Sequence, residues 1–215
     1  MSLRRACCVI LLVLGARAAP LTDLGPPTVG IVILSRRPPP EHFLSHFQRE
    51  VEHLFRPARL TLRWEVGSAR RGGTYNRIVV VELRGSCSPE RIGGPDVPEV
   101  VPGAPLGWTY VMDGEVIPHS VLDCDRVAAT VAEARTRMSG PAHVRNLFGR
   151  LAARVLVHEM MHVLLQTTEH DAADFTRSPI RPADLQTAPR LRRAQVLALE
   201  RALRVQPGVA LADGR

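Results

Sequence analysis

Two histidines four residues apart, with a carboxylate directly after the first, stand in the run Leu156-Val157-His158-Glu159-Met160-Met161-His162-Val163-Leu164-Leu165. On an α-helix, residues i and i+4 share a face, so His158 and His162 can present imidazole nitrogens to one metal ion. Glu159 then lies near the metal's open position, where a general base for a bound water belongs. No charge other than Glu159 interrupts the run. The plainer account is a pair of core histidines capped by backbone carbonyls. An apolar helix has little reason, however, to bury an unpaired carboxylate, whose desolvation is costly. The residue types and their spacing therefore point to bound Zn²⁺.

A catalytic zinc site keeps three protein ligands and a water. The chain leaving the motif is Gln166-Thr167-Thr168-Glu169-His170-Asp171-Ala172-Ala173-Asp174. His170 is the leading candidate, since a turn after Gln166 could fold it back beneath the metal. Asp171 and Asp174 on the same segment, and Glu200 far downstream, stay open as carboxylate alternatives. Glu169 reads as a solvated loop carboxylate.

The motif needs a long helix to carry it. Ser139-Gly140-Pro141 supplies a start, with proline in the first turn where its missing N–H costs nothing. From there to about Gln166 the pattern is helical, with the motif in the last two turns. Ahead of it, residues 28–35 form a buried-strand pattern and residues 41–55 a helix with Phe43, Phe47, Val51 and Leu54 on one face. Residues 60–66 and 77–83 read as further strands. Residues 86–105, rich in glycine and proline, read as a long loop. Residues 106–112 and 116–122 suggest a hairpin around Asp113-Gly114. Residues 126–138 and 188–203 are helix candidates, the second with Val196, Leu199 and Leu203 on one side. His42, His46 and His53 fall along one side of the first helix. A second metal site there is conceivable, but a solvated flank is the simpler reading.

The N-terminus reads as a secretory signal peptide: Arg4 and Arg5, an apolar core from Ala6 to Leu14, and a small-x-small site at Ala16-Arg17-Ala18. Residues 1–18 would be removed, leaving residues 19–215 as a single domain of 197 residues. The apolar core falls short of the roughly 20 residues a membrane span requires, and no later stretch qualifies. Cleavage removes three arginines and no acids, so the formal charge falls from +7 to +4. Every basic residue is arginine, and the arginines are scattered without interleaved aromatics, so nucleic-acid binding lacks its usual footprint. Cys7 and Cys8 leave with the signal peptide. In an oxidising compartment the remaining pair, Cys87 and Cys124, is expected to form a disulfide.

The segment from Gly149 to Leu165, followed by His170, resembles the metzincin clan of zinc metallopeptidases, and most of all small matrixin-like secreted bacterial proteins of the kind common in acidobacteria. Gly85-Ser86-Cys87, Leu106-Gly107, Asp113-Gly114 and Asp123-Cys124-Asp125-Arg126 extend the likeness over roughly residues 75–185. The resemblance implies an α+β, zincin-like fold: a twisted mixed sheet with a long active-site helix and a C-terminal helix. It supports the pairing of the two cysteines. It implies a secreted zinc metalloendopeptidase in which His158, His162 and His170 hold Zn²⁺. A water whose pKa the zinc lowers to about 7 would pass its proton to Glu159 as it attacks a peptide carbonyl. The partner would be a peptide or protein, for which residues 107–111 are a candidate edge by strand addition, an ordinary sheet strand being the simpler reading. Tyr110 could supply an oxyanion donor, a packed aromatic being the simpler reading. There are departures. The clan usually has glycine where Gln166 stands, and its third histidine where Thr168 stands. In place of its methionine turn lies Ser178-Pro179-Ile180-Arg181, with Ile180 as the apolar stand-in. They favour an alternative, a catalytically degenerate zincin acting in binding or interaction.

Overall fold

Apolar runs long enough to be buried on both sides supply the middle of a five-stranded sheet. The strands are β1 (Thr28–Ser35), β2 (Thr61–Val66), β4 (Arg77–Arg84), β5 (Gly107–Met112) and β6 (Glu115–Asp123). The computed structural model describes residues 25–67, 73–92, 94, 103–135, 141–170, 190–204 and 209–211. The sheet order is β2-β1-β4-β6-β5. The first four strands run parallel, and β5 returns antiparallel to β6 at one edge. In β1, Val29, Ile31 and Ile33 are fully buried on the helical face and Val32 is buried on the other, as expected of an interior parallel strand.

Helix α1 (Glu41–Phe55) crosses from β1 to β2 and buries Phe43, Phe47, Val51, Leu54 and Phe55. Phe43 stacks on Phe47 at 5.4 Å and meets Phe148 at 5.2 Å. Phe148 belongs to α3 (Pro141–Leu165), the central helix, which packs against α1, β5 and β6. Gly149 makes the α1–α3 approach possible, because a Cβ there would stand 2.6 Å from Nδ1 of His46. Helix α2 (Cys124–Arg135) follows β6 directly. Asp123 caps it, accepting from the Arg126 N–H at 3.0 Å, and this sets the start earlier than the expected residue 126. A Cys87–Cys124 disulfide ties the chain beyond β4 to the first residue of α2. Helix α4 (Arg193–Arg204) buries Leu199 and Leu203.

The expected mixed sheet, long motif helix and C-terminal helix are all present. Two details differ. The last helix starts at Arg193, not 188, because Gln195 reaches back to accept from the Arg192 N–H at 2.9 Å and fixes the first turn there. A second, two-stranded sheet joins β3 (Gly73–Tyr75) to β7 (Val209–Leu211). Its strands are three residues each, too short to show an alternation. The Tyr75 ring covers Gly30, whose Cβ would meet it at 2.9 Å, and its hydroxyl donates to the buried Glu65 at 2.8 Å. Among the described residues no helix is long and apolar enough to cross a membrane. The proposed signal peptide and the residue 178–181 stretch lie outside the described residues.

Candidate metal centre

The C-terminal half of α3 is buried on nearly every side: Val157, Met160, Met161, Val163 and Leu164 exclude solvent almost completely. Within that apolar wall His158, Glu159 and His162 are buried as well, at 6–7% exposure. Polar groups so placed need partners. His162 finds one through Nδ1, 2.7 Å from the Thr167 carbonyl oxygen. The carbonyl can only accept, so the ring proton sits on Nδ1 and the Nε2 lone pair faces His158 Nε2, 3.1 Å away.

His170 closes this group from the other side. Its ring centroid lies 5.1 Å from that of His158 and 4.9 Å from that of His162. The ligand atoms of the three histidines all lie within 4.8 Å of one another. Three nitrogens bound tetrahedrally at about 2.0–2.1 Å stand about 3.3 Å apart. The helix pair already matches that spacing, and the exposed His170 needs a shift of about 1.5 Å at most, which a side-chain rotation supplies. The donor set is three neutral-capable imidazoles with one backbone-oriented tautomer, and it fits zinc.

The turn that brings His170 back begins at Gln166, whose φ of +52° ends the helix in the left-handed region. The Thr167 N–H then bonds the His162 carbonyl at 3.2 Å, a closure typical of helix C-termini. One residue on, the Thr167 hydroxyl accepts from the Glu169 N–H at 3.1 Å. Gln166 therefore takes up the backbone conformation for which glycine is the usual choice.

Glu159 has a partner on the edge strand. Thr109 Oγ1 lies 2.8 Å from Glu159 Oε2, and 2.9 Å from Ser120 Oγ on the register-paired residue of β6. Ser120 thus donates to Thr109, which donates to the carboxylate. Burial pushes the Glu159 carboxyl up to about 7, with the Thr109 hydrogen bond opposing the rise. Burial holds His162 below the usual histidine range, opposed by its bond to the Thr167 carbonyl and reinforced by His170. Strand β5 lies hard against α3 here. A Cβ on Gly107 would stand 2.6 Å from Val155 Cγ1 and 2.7 Å from the Val121 carbonyl.

The three candidate histidines are thus brought together, with Glu159 beside His158 on the same helix. Glu200, half-buried on α4, does not join them, and Asp171 and Asp174 lie outside the described residues. Tyr110 takes the simpler of its two expected roles, a packed aromatic away from this site. It lies on the sheet face opposite Thr109, bonded to Arg84 at 3.2 Å and edge-on to His119. Nor do the α1 histidines form a second centre among the described residues: His42 pairs with Glu90 at 3.0 Å, and His46 packs at Gly149. Sequence reasoning missed Thr109, Ser120 and the Thr167 carbonyl. Ser120 carried a signal, as a hydroxyl among apolar neighbours on a strong strand, because a buried hydroxyl requires a partner.

No protein-family model and no curated protein sequence matches the chain. Among solved structures it is similar to archaemetzincin from Methanopyrus kandleri, at 11% identity and a TM-score of 0.46, over 86% of this chain and 99% of that one.

Proposed function

We propose that the protein is an exported zinc-dependent peptidase whose metal is held by His158, His162 and His170 and whose general base is Glu159. The observation that carries this reading is the convergence of three imidazoles within 4.8 Å beside a buried carboxylate anchored to an edge strand. Bound zinc would supply Lewis acidity toward a water and a scissile carbonyl. The chain's own residues supply the rest. Thr109 occupies Oε2 of Glu159 and leaves Oε1 to accept a proton from the attacking water and return it to the leaving amine. Among the described residues strand β5 is a sheet edge, and its outer backbone groups suit an extended peptide added as a further strand. The apolar wall of α3 keeps bulk water from the carboxylate. Export is supported by the Cys87–Cys124 disulfide, which suits an oxidising compartment, together with the leader-like residues 1–18.

The test is zinc content and proteolysis of an unstructured substrate by wild type, Glu159→Gln and His162→Ala. Zinc retained with turnover lost in Glu159→Gln, and zinc lost in His162→Ala, is the expected result. Zinc retained by wild type without any Glu159-dependent turnover would instead mark a zinc-binding interaction protein. A wild type that binds no zinc would defeat both readings.

A further inference from the structure

Beyond the ligands themselves, the geometry points to Gln166 as a positioning residue for the metal turn, fastening the exit of α3 to the β5–β6 hairpin. The inference rests on the metal reading given above.

A residue with a Cβ resists the left-handed region, and Gln166 has a φ of +52°. Something must hold it there, and the side chain shows what. Its amide nitrogen donates to the Val163 carbonyl at 2.8 Å and to the Val116 carbonyl at 3.3 Å. A carboxamide NH₂ carries two hydrogens, so both bonds form together. The first satisfies a carbonyl left over in the last helical turn. The second crosses to β6, where Val116 is buried and paired with Val111 of the edge strand.

The next residue shows why this bears on a metal. Thr167 offers its carbonyl to His162 Nδ1 and its hydroxyl to the Glu169 N–H, leading to His170. A change of backbone angle at Gln166 would swing the acceptor that sets the His162 tautomer and the segment that delivers the third imidazole. The hairpin is therefore joined to the motif helix twice, by Thr109 to Glu159 and by Gln166 to Val116. Were Gln166 only a helix terminator, any residue tolerant of positive φ would serve equally. A strut must have the amide.

Gln166→Gly separates these roles, because glycine accepts the backbone angle and has no amide. Affinity of the full chain for Co²⁺ and Zn²⁺ is measured by competition with a chromophoric chelator, alongside thermal unfolding of the metal-free protein. Gln166→Gly should bind both metals about tenfold or more weakly, with metal-free unfolding within a few degrees of wild type. The same substitution in a His170→Ala background should cost less than it does in wild type, since the turn then has no third ligand to deliver and keeps only its hold on the His162 tautomer. Gln166→Ala, which keeps the Cβ and loses the amide, should bind at least as weakly as Gln166→Gly. Equal or tighter binding by Gln166→Gly overturns the inference while leaving the metal reading intact. A wild type that binds neither metal overturns the metal reading itself.

Discussion

Glu159 should make the metal-free protein less stable as pH rises, and its replacement by glutamine should remove that dependence. Burial lifts the folded-state pKa to about 7 from the ordinary 4.5. A raised pKa means the folded state prefers the protonated form. Its stabilising contribution is complete below pH 4.5 and is lost as pH climbs through about 7. The gap between the two values, at about 1.36 kcal/mol per pH unit, amounts to about 3 kcal/mol. Glutamine has nearly the same shape, is neutral at every pH, and can still accept from Thr109 through its carbonyl oxygen. Urea unfolding of chelator-treated wild type and Glu159→Gln should therefore give similar stabilities at pH 4.5. By pH 8.5 the variant should lead by about 3 kcal/mol, or roughly 6–12 °C in Tm for a domain of this size. Every other ionisable group is common to the two proteins and largely cancels in the difference. A difference that does not change with pH, or a wild type that is more stable at pH 8.5, would refute the claim that the carboxylate lies in a dry, cation-free setting.

Thr109→Val removes the donor that favours the ionised carboxylate and strands the buried Ser120 hydroxyl. Turnover should fall about tenfold, and the acid limb of the kcat profile should move to higher pH, since losing that hydrogen bond raises the Glu159 pKa further. Thr109→Ser should restore both, and a Val variant with an unmoved acid limb would remove Thr109 from the site. Gly107→Ala should cost about 1–3 kcal/mol in urea unfolding, because its methyl meets Val155 and the Val121 carbonyl at 2.6 and 2.7 Å. Wild-type stability in that variant would mean β5 rides more loosely on α3 than these distances describe.

Most of the frame was legible because its elements are long and strongly periodic. The central strands β1 and β4, the aromatic face of α1 and the span of α3 follow from apolar spacing alone. Strands β3 and β7 could not be read, because three-residue strands pairing Gly73 with Leu211 leave no local trace. The candidate ligands were readable because His158 and His162 are fixed by helical geometry and His170 by proximity. The partner of Glu159 was not. Whether Thr109 or Tyr110 faces α3 depends on the register of a hairpin with an irregularity between Thr109 and Val111, and a slip of one residue exchanges the two faces. Gln166 was opaque for a related reason. Its residue type gives no hint of a left-handed angle, and of the two hydrogen bonds that engage its side chain, the local one to Val163 and the tertiary one to Val116, the second depends on the fold.

Strand β5 has a further consequence, for colloidal behaviour. Its outer backbone groups have no strand beside them among the described residues, and Tyr110, Val111 and Met112 are exposed at 38, 49 and 63%. An uncovered edge with apolar residues is a template for any extended chain, including a neighbouring molecule's own β5. Proteins commonly blunt such edges with lysine, and this chain has none. The peptide binding proposed for this strand and a tendency to self-associate would thus be one property, and storage at high concentration would draw on the same backbone groups as the proposed substrate.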